Sequence, residues 1–153
     1  MSSELFTHVT SRPVVATDTA ETIGSVKGFV LDRTGRHIES IHIDGRGKRA
    51  IVLPWSAVNS FGTDAVMASS GDDPATVENE HQKSAVTGDV TLIGTRILTT
   101  DGLDIGNVDD VEFETDSGAV IRIVTARGPL EAQRLRSLGS YALVVDPFPA
   151  PTG

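Results

Sequence analysis

The amino-acid sequence predicts an all-β fold of two small, similar barrels related by internal duplication, with short helical turns and a polar linker between them. Two observations lead there. Residues 14–35 read VVATDTAETIGSVKGFVLDRTG and residues 97–118 read ILTTDGLDIGNVDDVEFETDSG, so a polar turn, Ile-Gly-x-Val, an alternating strand and a second turn recur in one order. Further on, VNSFGTDAVMAS at 58–69 is answered by LRSLGSYALVVD at 135–146, which extends the correspondence to a whole small domain. A chain of 153 residues accommodates two such units of roughly 65 residues each. Units that small hide only about 60% of the surface of their unfolded chain, so each is expected to lean on its twin or on another chain.

The elements follow in order. Ser3 is the expected cap of a short amphipathic opening with Glu4, Leu5 and Phe6, followed by a strand at 13–16. Residues 26–32 form a strand with Phe29 and Leu31 on one face, and Thr34-Gly35 closes a hairpin. On the return, Ile38, Ile41 and Ile43 are apolar while His42 and Asp44 are expected to face water. The turn DGRGKR leads to a strand at 50–53, about one helical turn at 55–60, and a last strand at 64–68. The stretch 69–89 loses alternation and gathers Gly, Ser, Asp, Pro and Glu. It reads as a linker in which residues 74–84 can form a short helix behind Pro74. The second unit resumes at Val90 with Ile97 and Leu98, and Val108, Val111 and Phe113 alternate with Asp110, Glu112, Glu114 and Asp116. The sequence therefore divides into a first barrel (1–70), a linker (71–89), a second barrel (90–147) and a proline-rich tail (148–153), where Pro149 and Pro151, with Pro147 just before them, exclude a central strand.

The offset between the units drops from 82 at Gly24/Gly106 to 77 at Phe61/Leu138. Five residues are thus missing from the second unit. The loss is expected to fall between the return strand and LEAQRLRSLG at 130–139, so that IVLPWSAV at 51–58 has no counterpart of equal length or aromaticity and a polar residue stands in the place of Trp55.

With these motifs in order, IGSVKGFVLDRTG, IESIHIDG and IVLPWSAVNSFGTDAVMA, then IGNVDDVEFETDSG, IRIVTARG and LRSLGSYALVVD, the chain resembles the PRC-barrel family. The resemblance is to a tandem form of the small β-barrel found in the cytoplasmic domain of the photosynthetic reaction-centre H subunit and in the C-terminal domain of a ribosome maturation factor. It implies docking without catalysis, onto membrane-protein partners in one branch and onto the small ribosomal subunit in the other.

Composition is globular, with 39% hydrophobic and 22% charged residues. A net charge of −8 disfavours long-range attraction to nucleic acid and to anionic lipid. With no cysteine there are no disulfides or thiol chemistry, and no apolar leader or span is apparent, so a cytoplasmic protein is expected. Gly24 and Gly106 serve strand-entry geometry, since a strand and not a helix follows them. The acidic run Asp101, Asp104, Asp109, Asp110, Glu112, Glu114 and Asp116 alternates as a solvated face and lacks a calcium-loop pattern. His8, His37, His42 and His81 show no zinc spacing. No metal or cofactor is expected, and no nucleophile elbow or base points to an enzyme.

Six residues stand out as candidates for interaction. Arg46, Lys48 and Arg49 form a basic turn. Trp55 either fills the seam between the units or anchors a partner, while Tyr141 and Phe148 are aromatics with no assigned core role. The sequence reading is a non-enzymatic adaptor for a protein partner, with a second copy of the chain as another candidate partner. An RNA- or ribosome-associated factor using Arg46, Lys48 and Arg49 ranks second. A cytoplasmic partner of a membrane complex, associating with the membrane only through protein, ranks third.

Overall fold

A computed structural model describes residues 3–45, 51–70, 75–76 and 92–147. The chain opens with β1 (Ser3–Leu5) and a single helical turn α1 (Phe6–Val9), followed by β2 (Pro13–Ala16), β3 (Thr22–Leu31), β4 (Ile38–Gly45) and β5 (Ile51–Pro54). A 3₁₀ turn (Trp55–Ala57) leads to β6 (Val58–Phe61), β7 (Val66–Ala68) and the two-residue β8 (Ala75–Thr76). The second half comprises β9 (Arg96–Thr99), β10 (Asp104–Asn107), β11 (Asp110–Glu114), β12 (Val120–Thr125) and β13 (Gly128–Glu131), then a 3₁₀ turn (Ala132–Arg134), β14 (Leu135–Leu138) and β15 (Leu143–Val145). The fold is all-β in character, as the alternating patterns require.

The strands pair in three open sheets, and among the described residues none closes into the expected barrel. The first is seven-stranded, in the order β6-β7-β2-β3-β4-β5-β8. Closure would need the outer edge of β5 to meet β6, but that edge is taken by β8, which pairs Val52 with Ala75 and Ile51 with Thr76. In the second half the chain breaks step at Val108 and Asp109. One sheet therefore runs β10-β9-β15-β14 and another β1-β11-β12-β13. Both halves contain one parallel pair, β2 with β7 and β9 with β15.

Several sequence expectations are corrected. Ser3 is not a helix cap. It lies in a strand that pairs with β11 of the other half, and its hydroxyl donates to Glu112 Oε2 at 2.7 Å. Residues 75–76, read as part of a helix, are a strand, and the rest of the proposed 74–84 helix lies outside the described residues. The helical turn expected at 55–60 stops at Ala57 and gives way to β6. Only one of the two singled-out glycines, Gly106, takes a positive φ, at +115°.

The five missing residues lie between the start of the return strand and 130–139, as the offset implies, but the Trp55 segment does have a counterpart of equal length. β5 and β13 each have four residues and each is followed by a three-residue 3₁₀ turn. The loss is in the preceding hairpin, where β4 has eight residues and β12 six, and where the connection is also shorter in the second half. At the place of Trp55 the second half therefore carries Ala132, not a polar residue.

His42 is the other correction. The alternation places it on the water side with Asp44, yet it is 8% exposed while Asp44 is exposed. The reason is cross-strand cover, because His42 stands between Gly28 of β3 and Val52 of β5. Burial lowers its pKa below 6.5 and nearby Lys27 lowers it further, against a smaller opposing pull from Asp44.

The hydrophobic core is continuous across the two halves. Val14, Ile41, Leu53 and Val66 from the first, and Ile97, Val111, Phe113, Ile123, Leu135 and Leu143 from the second, have no exposed surface and belong to one cluster. Burying a side chain of this size stabilises by about 1.5–3 kcal/mol.

Two predictions follow from the backbone and from His42. Ser11 and Ala20 hold left-handed φ values of +75° and +59°, whereas Gly94 and Gly102 take the matching places in the second half at +82° and +84°. Ser11→Gly and Ala20→Gly should each raise the unfolding free energy by about 0.5–1 kcal/mol in urea titration, since only glycine adopts this region without strain. Because the folded state holds His42 neutral, the unfolded chain takes up a proton first. Stability should therefore fall as pH drops through about 6.5 and level off below the folded-state pKa. His42→Gln should flatten that slope in thermal melts between pH 7.5 and 5.

Candidate functional site

The most elaborate constellation in the molecule lies where the halves meet. Two hairpin turns, 32–37 between β3 and β4 and 115–119 between β11 and β12, cross each other. The Ile38 amide donates to Gly118 O at 2.9 Å and the Val120 amide donates to Arg36 O at 2.7 Å, with His37 and Ala119 bridged between them. The first turn is braced by Asp32. Its Oδ1 accepts from the Thr34 hydroxyl at 2.7 Å and from the Thr34 and Arg36 amides at 3.1 Å each. Burial alone would raise the Asp32 pKa, but these donors outweigh it and hold the carboxyl below its ordinary value.

Each turn then docks on the opposite half. Gly118, at φ +77°, lies flat against the indole of Trp55, and a Cβ there would come within 2.9 Å of Trp55 Cε2. The indole Nε1 donates to Asp116 O at 3.3 Å, and the ring stacks on Phe61 with centroids 5.2 Å apart. On the other side the relation is inverted. Arg36, from the first turn, donates from Nε to Leu135 O at 2.9 Å and from Nη2 to Gln133 O at 3.1 Å, over the 3₁₀ turn that carries Ala132. In one crossing the large side chain, Trp55, comes from the 3₁₀ turn, and in the other Arg36 comes from the hairpin.

Phe113 is the hub beneath this seam. Fully buried, it meets Phe6, Phe29, Trp55 and Phe61 with centroids 5.4, 5.5, 6.2 and 5.4 Å away. Phe6 reaches it because the N-terminal arm crosses to the second half, where Thr7 donates to Asp110 through its amide and its hydroxyl. Aromatic contacts of this geometry contribute about 0.5–1.5 kcal/mol each beyond area burial.

Of the sequence candidates, Trp55 is half-buried in the seam, so its indole is spent on internal contacts. Tyr141 is elsewhere and 69% exposed. Its hydroxyl accepts from Arg96 Nη1 at 2.6 Å, the Arg96 guanidinium carbon lies 5.0 Å from the ring centroid, and Arg96 Nε lies 3.4 Å from Asp104 Oδ2. Arg46, Lys48, Arg49, Phe148 and His81 lie outside the described residues. The acidic run is not simply a solvated face. Asp110 and Glu112 hold the N-terminal arm, and Glu112 also pairs with Arg122 at 3.2 Å. Among the described residues, no three His, Asp or Glu side chains converge as a metal site, and no helix is long and apolar enough to cross a membrane.

Sequence reasoning missed Arg36, Gly118 and the hub role of Phe113. The signal for the first two was present in the repeated turn, where Gly35 and Gly118 sit one place out of register, so that Arg36 matches Gly118.

Residues 3–73 match the PRC-barrel domain, which supports the PRC-barrel family. No curated protein matches the chain.

The seam yields a coupled prediction. Trp55→Ala and Gly118→Ala should each lower the unfolding free energy by about 2–4 kcal/mol, the first by leaving a cavity and the second by a clash. With Trp55→Ala already present, Gly118→Ala should cost only about 1 kcal/mol, the left-handed backbone contribution. Fully additive losses in a double-mutant cycle would show that the two do not press on each other.

Proposed function

We propose that the chain is a tandem PRC-barrel module acting as a non-catalytic adaptor for a protein partner. The PRC-barrel match to residues 3–73 supports the first unit. The second is supported by backbone bonds that recur at matching places. The Ser11 amide donates to Val26 O as Gly94 does to Val108 O, Gly62 to Ala65 O as Gly139 to Ala142 O, and Ser69 to Ala57 O as Asp146 to Arg134 O.

The observation that carries the adaptor reading is an asymmetry between the units. The large apolar side chains that remain exposed among the described residues are Ile93 at 38%, Leu103 at 61% and Tyr141 at 69%. All belong to the second half, and the matching places in the first are Thr10, Glu21 and Asp64. The frame therefore folds with polar residues at these points, and apolar surface exposed on the second half alone supports contact with another protein.

Tagged wild-type protein and the exposed-surface variants Leu103→Ser and Tyr141→Ser should be used for capture from native lysate, washed at low and high salt with and without nuclease. A protein retained at high salt and reduced at least fivefold with either variant is the expected result. RNA or ribosomal components released by salt or nuclease would replace the adaptor reading with the RNA-associated one, because phosphate contacts weaken steeply with salt.

A further inference from the structure

The shorter hairpin of the second half has a consequence for β10. In the first half the long β4 covers the inner part of β3, pairing Gly45 with Gly24, Asp44 with Ser25 and Ile43 with Val26. In the second half β12 ends at Thr125, and β10 stands at the end of its sheet with β9 as its partner. Among the described residues no strand lies along its other side. The Thr99 amide donates to Leu103 O and the Val108 amide to Thr95 O, so the backbone groups of residues 103 and 108 face β9. By antiparallel alternation, interrupted by the irregularity between Asp104 and Asn107, the amides and carbonyls of Asp104 and Asn107 face outward. Among the described residues, a Cβ on Gly102 or Gly106 would meet nothing within 4 Å.

We propose that this edge of β10 is a strand-addition site for an extended, basic segment of a partner protein. The inference rests on the adaptor reading and gives it a location and a partner chemistry. Exposed strand edges offer a row of backbone donors and acceptors that an incoming strand satisfies, while flanking side chains select which strand is accepted. Here the flanks are acidic at Asp101, Asp104 and Asp109, all exposed, and apolar at Leu103, which lies directly beside the edge. Arg96 offsets one of these charges through Asp104, leaving the edge net negative. Two copies of the chain would bring like charges together across such a ladder, which disfavours self-pairing. A segment bearing lysine or arginine beside apolar residues is complementary. The hairpin shortening that uncovered the edge and the exposed Leu103 are both features of the second half alone.

The test uses the full-length protein and three synthetic octapeptides: alternating lysine and valine, alternating glutamate and valine, and the lysine peptide N-methylated at every second amide. Binding is read by amide hydrogen exchange. The lysine peptide should slow exchange at Asp104 and Asn107, and the glutamate and N-methylated peptides should bind at least tenfold more weakly. The double variant Asp101→Lys/Asp109→Lys should weaken the lysine peptide at least tenfold while its melting temperature remains that of the wild type. Equal binding of methylated and unmethylated peptides would reduce the effect to charge and overturn strand addition. Protection at another edge such as β13, or none at about 1 mM peptide, a concentration that detects even weak binding, would overturn it too. A salt-resistant protein captured from lysate in that case would leave the adaptor reading standing and only the edge assignment lost.

Discussion

The two backbone hydrogen bonds between crossing turns, Ile38 to Gly118 and Val120 to Arg36, set the seam between the halves. Once the turns are locked back to back, each must lie on the 3₁₀ segment and following strand of the opposite half, because the chain on either side of a turn runs back into its own sheet. That requirement brings Gly35 against Leu135, Leu138 and Leu143 and Gly118 against Trp55. It also brings Phe113 into the centre of the aromatic cluster, between rings from both halves. A core that would be meagre in either half alone becomes one continuous cluster.

The crossings are alike in backbone and unlike in side chain, and the difference gives direction to the pairing. Trp55 faces Gly118, while Ala132 lies on the side reached by Arg36. Pairing a first half with another first half would force an indole and a guanidinium into the same space. Pairing two second halves would set alanine against glycine and leave a void. Overfilling and underfilling each carry a cost of a few kcal/mol, so the seam discriminates against both like pairings.

Local patterns were legible in the sequence wherever one side of a strand faces the core and the other faces water. Val111 and Phe113 are buried and alternate with half-buried acids, as their spacing implies. The return strand β4 defeated the same logic at His42, because cover came from the neighbouring strand and an alternation pattern carries no information about what lies above its polar face. Ser3 illustrates a second limit. Its partner is Glu112, far away in sequence, so a local capping rule assigned it to the wrong structure. The five-residue shortening and its place after the return strand are legible from the offset, since loops absorb length changes at little energetic cost, whereas the equal length of the Trp55 segment and its counterpart is not. Trp55 itself was read as either seam or anchor. Nothing in the sequence reveals that Arg36 of the facing turn bonds to the segment that carries its counterpart, Ala132.

The N-terminal arm carries an implication for biosynthesis. Ser3 bonds to a residue 109 positions later, and Phe6 packs under a ring that belongs to the second half. At translation rates of about 5–20 residues per second, the arm leaves the ribosome some 5–20 s before the strand that receives it. During that interval Phe6 and Val9, both buried in the finished fold, have no site on the second half to occupy. Until β11 has been made, Phe6 has only its first-half partner Phe29 to pack on, and the arm's contacts to Asp110, Glu112 and Phe113 wait for the second half.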